Sequence, residues 1–267
     1  MTRIIATANQ KGGVGKTTLA INLSGGLVRA NPENRVLLVD ADPQANATAV
    51  MLGIPFAAGP RTDAETMYEV LVKEIPAIDA IHRIELAGDA EGKNAVGELD
   101  ILPSHLDLAS AELELVNIFE RERRLRRALE PIQDMYDYIV IDCPPSLGLL
   151  TLNALMAANE VLIPVDPGIF PVIGLNLLNR TVEMVRQSNP SLQILGVVPT
   201  LQDRTALSRD TLDQLSQAFG DKLLPAIPRR VSIGEAHAAG QDIFIYDTNG
   251  DGAEAFSALL QEVIKRG

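Results

Sequence analysis

The chain is 267 residues long, 46% apolar and only 4% aromatic, which is enough to bury the core of one α/β domain or two small ones. Its formal net charge of −12 excludes a surface coated in positive potential for nucleic acid, so any DNA contact has to be local or assembled by oligomerisation. No apolar run reaches the roughly 18 residues needed to span a bilayer, and the single cysteine, Cys143, excludes an intrachain disulfide and a cysteine metal cluster.

The first apolar run, residues 4–8, is a short strand rather than a cleavable signal, and a cytoplasmic protein is expected. It is followed at once by KGGVGKTT, residues 11–18, and then by helical spacing at Leu19, Ala20, Leu23 and Leu27. Strand, glycine-rich turn and helix N-terminus are the context a phosphate-binding loop requires. Gly12, Gly13 and Gly15 let backbone N–H groups crowd around phosphate oxygens, and the helix dipole favours an anion there. Val14 and Thr18 complete the candidate cradle. Lys16 would reach the β- and γ-phosphates, and the Thr17 hydroxyl is the group this motif uses to ligate Mg²⁺. The ordinary spacing needs glycine at position 10, where this chain has Gln10 followed by an additional lysine, Lys11. The loop is therefore a deviant one with two lysines.

Farther along, short β-rich runs at 36–39, 99–102, 138–141, 161–165 and 194–198 alternate with helical patterns, with a weaker run at 223–227. That alternation predicts a doubly wound α/β fold, a mostly parallel sheet with helices on both faces, and residues 1–267 read as a single domain. Stretches 57–63 and 88–97 read as surface loops. Asp40 and Asp42 close the second run, at the strand end where open α/β sheets bind ligands. Asp142 closes the run at 138–141 before Pro144 and Pro145, as the second acidic motif that holds Mg²⁺ in phosphate-loop NTPases does. The basic run 121–127 reads as a solvated helix face, with Leu113, Val116, Leu125 and Leu129 on the opposite side. Near the C-terminus, Phe256, Leu259, Leu260, Val263 and Ile264 read as a helix docked on its own domain, since only Lys265 and Arg266 lie beside them to serve a membrane surface.

The loop together with VDADPQ, VIDCPPS, IPRRV, EAHAAG and a late YD resembles the ParA/Soj family of deviant-loop ATPases over almost the whole length. The loop alone would also admit MinD, nitrogenase iron protein and arsenical-pump relatives, but the cluster cysteines of the iron protein are missing. His237 stands where many relatives have proline. The resemblance implies a phosphate-loop NTPase fold and an ATP- and Mg²⁺-dependent homodimer with two nucleotides between subunits. Lys11 of each subunit would reach the phosphates bound by the other, as an arginine finger does. Lys16 and the loop amides would bind ATP in cis, Thr17 and Asp142 would serve the metal, and Asp40 would orient the attacking water, with a share in the metal shell that Asp42 could organise instead. The resemblance further implies slow intrinsic hydrolysis stimulated by a ParB-like or cargo adaptor, and non-specific binding of double-stranded DNA. Arg229 and Arg230 match the DNA-binding region, Arg204 and Arg209 are additional candidates, and Pro228 is a candidate nucleotide contact. Phosphate contacts would suffice for such binding. The implied role is chromosome or plasmid partition on the nucleoid. Positioning of a protein assembly is the close alternative, and a membrane-associated division-site regulator is a third reading. No stable membrane association is expected.

Overall fold

The computed structural model describes residues 1–60, 63–88, 95–167 and 171–267, with side chains 171–176 excepted. The loop expectations for 57–63 and 88–97 thus fall partly on residues, 61–62 and 89–94, that lie outside the described ones. In chain order, β1 (Arg3–Thr7) leads into α1 (Lys16–Ala30), then β2 (Val36–Asp40), α2 (Asn46–Leu52) and α3 (Ile54–Ala58). Next come β3 (His82–Ala87), β4 (Ala95–Leu102), α4 (Leu108–Glu114), α5 (Arg124–Leu129), β5 (Tyr138–Asp142) and α6 (Leu149–Ala157). The chain continues through β6 (Glu160–Val165), α7 (Pro171–Arg186), β7 (Gln193–Pro199), α8 (Ala206–Phe219), α9 (Val231–Ala238), α10 (Ile243–Tyr246) and α11 (Asp251–Lys265).

The sheet order is β3-β4-β2-β5-β1-β6-β7, and every pairing except β3 with β4 is parallel. Near-continuous apolar strands need cover on both faces. Ala6, Leu37, Val39, Ile139 and Ile141 point to one face, against Leu125, Leu150, Leu155 and Val182. Ile5, Leu38, Val140 and Leu162 point to the other, against Leu19, Leu23 and Leu27 of α1 and Phe256, Leu259 and Val263 of α11. The doubly wound expectation holds. The helix α1 approaches α10 closely: a Cβ on Gly25 would lie 2.7 Å from an Asp242 oxygen, and one on Gly26 would lie 3.0 Å from Phe244.

Three local expectations are corrected. His82–Ala87, unassigned from sequence, forms the antiparallel edge strand β3; it is half-exposed and carries Arg83 and Glu85, so it lacks the apolar run of a buried strand. Residues 223–227 do not form a ladder. They run beside the end of β7 through the isolated bridge Val197↔Leu223 and two backbone bonds, Leu224 N–H to the Val197 carbonyl at 2.9 Å and Ile227 N–H to the Pro199 carbonyl at 2.7 Å, and the pairing goes no further because Pro225 and Pro228 cannot donate N–H groups. Finally, the basic run is not one solvated helix face. A left-handed Glu120 (φ 52°) precedes a single 3₁₀ turn, Arg121–Arg123, and α5 begins only at Arg124. Leu125 and Leu129 are buried while Leu113 and Val116 are exposed, and Arg124 is itself buried, 2.7 Å from Glu74.

Strand register also aligns the polar ends of the central strands. Thr7 of β1 and Asp40 of β2 both lie opposite Asp142 of β5, so three polar side chains form one row at the carboxyl ends of adjacent strands.

The packing of α11 yields a stability expectation. Leu259 is 1% exposed within the second face of the core, so Leu259→Ala should lower unfolding stability by about 2–5 kcal/mol in urea titrations. A loss below about 0.5 kcal/mol would show α11 to be undocked in solution.

Candidate functional site

The loop between β1 and α1 is held open from two sides. Gly13 (φ 73°) and Gly15 (φ 87°) adopt left-handed backbone that residues with a Cβ avoid, and Gly15 caps α1 without any side-chain capping bond. The first amides of α1 therefore face the loop interior. The Thr200 hydroxyl donates to the Val14 carbonyl at 2.7 Å, tying the loop to the end of β7. Asn9 bridges to β6, donating to the Pro164 carbonyl at 2.7 Å while its Oδ1 accepts the Lys11 amide at 3.0 Å. Neither Thr200 nor Asn9 carries a sequence signal for this role. Both are found only through the contact.

The two loop lysines are in different environments. Lys16 is 6% exposed and donates to the Lys11 carbonyl at 2.9 Å. Burial pulls its pKa down, while Asp142, Cys143 and Asp42 pull it back up. Lys11 is exposed, and its ammonium lies 2.8 and 2.7 Å from the two oxygens of Asp166.

Beneath the loop sit the carboxylates. Asp40 is fully buried; its Oδ2 accepts from the Thr48 amide at 2.8 Å and hydroxyl at 2.7 Å, and its Oδ1 accepts from the Asp42 amide at 3.1 Å. Burial raises its pKa to about 6 against these three bonds. Thr48 in turn accepts the Ser104 amide at 2.8 Å, and the Ser104 hydroxyl donates to the Asp42 carbonyl at 2.8 Å. Asp42 accepts the Gln44 amide at 2.9 Å, and burial raises it while Lys16 lowers it. Asp142 is held well above the usual carboxylate range, first by burial and then by the charge of Asp40, with the Thr17 hydroxyl and Lys16 acting the other way. Its Oδ1 receives a 3.5 Å contact from the Thr7 hydroxyl, and its Oδ2 accepts nothing.

A buried carboxylate oxygen without a donor, beside a threonine hydroxyl, is a donor set suited to a hard divalent cation. Both oxygens of Asp40 are already engaged, which favours an orienting role for it over direct ligation. Among the described residues no three His, Cys, Asp or Glu side chains gather to hold an ion alone. A cation here would share its ligands with a bound anion and water.

Beside the loop, a cavity of about 270 Å³ is lined by Gly15, Thr18, Thr200, Pro228, Arg229 and His237 among others. Its outer wall forms because Gln202 donates to the Ile227 carbonyl at 3.0 Å and accepts the Arg229 amide at 2.8 Å. The candidate cations Arg204 and Arg209 are both exposed, Arg204 two residues beyond Gln202 and Arg209 with Nη1 3.4 Å from the Arg204 carbonyl. Arg230 is ion-paired with Asp251 at the start of α11, with Nε 2.7 Å from both oxygens. The sequence pointed to the arginine but held no hint of this carboxylate.

Known proteins share this outline. The model of the AAA domain family matches residues 2–194. The chain is 44% identical to the chromosome partitioning protein ParA of Caulobacter vibrioides over 99% of its own length and 94% of that protein. It is also 44% identical to the sporulation initiation inhibitor protein Soj of Bacillus subtilis, over 100% of both chains. Among solved structures, a Mycobacterium smegmatis protein described as cobyrinic acid a,c-diamide synthase, with a bound ATP analogue and magnesium, superposes with a TM-score of 0.78. That protein is 34% identical to this chain, with 99% of this chain and 95% of that one covered.

The carboxylate pair makes stability depend on pH. An acid whose folded-state pKa is raised favours folding when protonated, and its contribution turns unfavourable as pH rises through the folded value. Asp142→Asn removes the more strongly raised group. Without nucleotide or Mg²⁺, this variant should be more stable than wild type at pH 8, with a smaller loss between pH 5 and pH 8 in urea titrations. A variant less stable than wild type at pH 8 would show that the ionised pair is compensated inside the fold.

Proposed function

The chain belongs to the ParA/Soj family of ATPases, and from that premise we propose that it is a partition-type ATPase whose ATP-bound dimer binds DNA without sequence preference. The observation that carries this reading is the two-lysine loop directly above the in-register Asp40 and Asp142, beside a cavity of nucleoside dimensions. Its substrate is ATP with Mg²⁺.

In this reading the nucleotide's phosphates enter the loop and Lys16 leaves the Lys11 carbonyl for the β- and γ-oxygens, aided by the amides at the start of α1. Thr17 and Asp142 would hold Mg²⁺, which neutralises phosphate charge. The orphaned Oδ2 of Asp142 supports that assignment. Asp40 orients the attacking water: Thr48 and the Asp42 amide fix its carboxylate in one rotamer. Pro228 and its neighbours line the cavity that would receive the nucleoside. Lys11 is assigned to the partner's nucleotide, which couples dimerisation to hydrolysis and makes the isolated subunit slow. An adaptor of the ParB or cargo type would stimulate turnover by completing that arrangement.

Amide synthesis, the activity in the description of the Mycobacterium smegmatis relative, finds no support in this chain's only thiol. Cys143 is fully buried beneath the loop, and burial pushes its pKa up, the opposite of an activated nucleophile. No described helix is long and apolar enough to cross a membrane, and α11 spends its apolar face on the core.

Two measurements check this reading. ATP with Mg²⁺ should produce a dimer that binds random-sequence duplex DNA, and Lys16→Ala should lose ATP binding, dimer and DNA binding together. Asp40→Ala should instead keep the dimer while turnover falls. DNA binding by Lys16→Ala equal to wild type would sink the ATP switch. The second measurement concerns the arginines. Changing Arg229 and Arg230 to Ala together should preserve the ATP dimer, weaken DNA affinity and make the slope of log K against log salt shallower by about 0.9 for every phosphate that is no longer neutralised. An unchanged slope in a variant that still dimerises would move the DNA surface to Arg204, Arg209 or the arginines of 121–127.

A further inference from the structure

Membership of the family gives Lys11 a task in another subunit, yet in the single chain its ammonium is chelated by Asp166. Nζ lies 2.8 and 2.7 Å from the two carboxylate oxygens, with Lys11 56% and Asp166 20% exposed in their side chains. The pair is built in from both ends. Asp166 directly follows β6, where the Val165 carbonyl accepts the Thr200 amide at 2.8 Å and the Pro164 carbonyl accepts Asn9 at 2.7 Å. The same Asn9 accepts the Lys11 amide at 3.0 Å. One asparagine side chain therefore sets the distance between the strand that carries the acid and the loop that carries the base. Lys11 has a second restraint, since its carbonyl accepts Lys16 Nζ at 2.9 Å.

We propose that Asp166 is a positioning residue that retains Lys11 within its own subunit, so that Lys11 reaches a second subunit's nucleotide only after this ion pair opens. The proposal rests on the partition-ATPase reading above and adds the control of its trans lysine. Its logic is a competition between two anions for one ammonium. Without nucleotide, Asp166 is the nearer anion and Lys16 pins the backbone behind it. When phosphates draw Lys16 away, the Lys11 carbonyl loses its donor. The partner's phosphates then present more charge than one carboxylate, and the exchange runs toward the dimer. Asp166 touches no nucleotide in this scheme and acts only through Lys11.

Partly exposed ion pairs of this kind change an equilibrium by about 1.4- to fivefold each. A symmetric dimer must open two of them, so Asp166→Asn should tighten the ATP-dependent dimer by about 2- to 25-fold in sedimentation equilibrium at low salt. High salt should narrow the difference, because screening weakens the retained pair in the wild type. Asp166→Glu, which keeps the charge, should stay near wild type. In a Lys11→Ala background, Asp166→Asn should leave ATP affinity and urea stability of the monomer unchanged, a result that a merely structural role for Asp166 would not give. If wild type dimerises with ATP but Asp166→Asn dimerises equally or more weakly, or alters the Lys11→Ala monomer's stability or ATP affinity, the proposal is overturned while the partition reading stands. A wild-type chain that remains monomeric with ATP and Mg²⁺ overturns both.

Discussion

The parallel register of β5 against β1 and β2 is the constraint on which the site depends. It sets Thr7, Asp40 and Asp142 side by side at the carboxyl ends of three buried strands, two carboxylates among them, both fully buried. Such a pair is costly to ionise, and the surrounding structure is organised around that cost. Thr48 and the Asp42 amide compensate Asp40, Ser104 holds Thr48 and the Asp42 carbonyl, and Lys16 acts from the loop on Asp142 and Asp42. Of the two acids, Asp142 is the one that keeps an oxygen without a donor. A buried carboxylate oxygen left without a donor gives up stability in the empty fold.

The single chain also satisfies its functional cations from within. Lys16 rests on a loop carbonyl, Lys11 on Asp166 and Arg230 on Asp251. In a chain of net charge −12, carboxylates lie close to many basic side chains, and an incoming anion would have to displace them from Lys11 and Arg230. Such an exchange would be sensitive to salt.

The two prolines that keep 223–230 out of the sheet have a constructive effect. Because the segment follows β7 with a few scattered backbone bonds and no regular ladder, it bends past the strand end and carries Pro228, Arg229 and Arg230 to the cavity rim. A regular strand there would have extended the sheet and left the cavity without its outer wall.

Much of this was legible in the chain itself. The glycine and lysine spacing of residues 11–18 sits between a strand and a helix pattern, and Asp40 and Asp142 each follow four mostly apolar residues, so local order alone places them at strand ends. The apolar face of α11 is likewise local, because i, i+3 and i+4 positions meet on one side of any helix. Tertiary structure decided the rest. His82–Ala87 became a strand because β4 offered an edge to pair with, and the basic run broke where Glu120 turned left-handed. Above all, the partners of Lys11, Val14 and Arg230 come from residues 166, 200 and 251, far away in the chain. Periodicity reports which face a residue occupies, but the carboxylate or hydroxyl it meets there is set by how separate elements pack, and nothing in the neighbouring sequence encodes that distance.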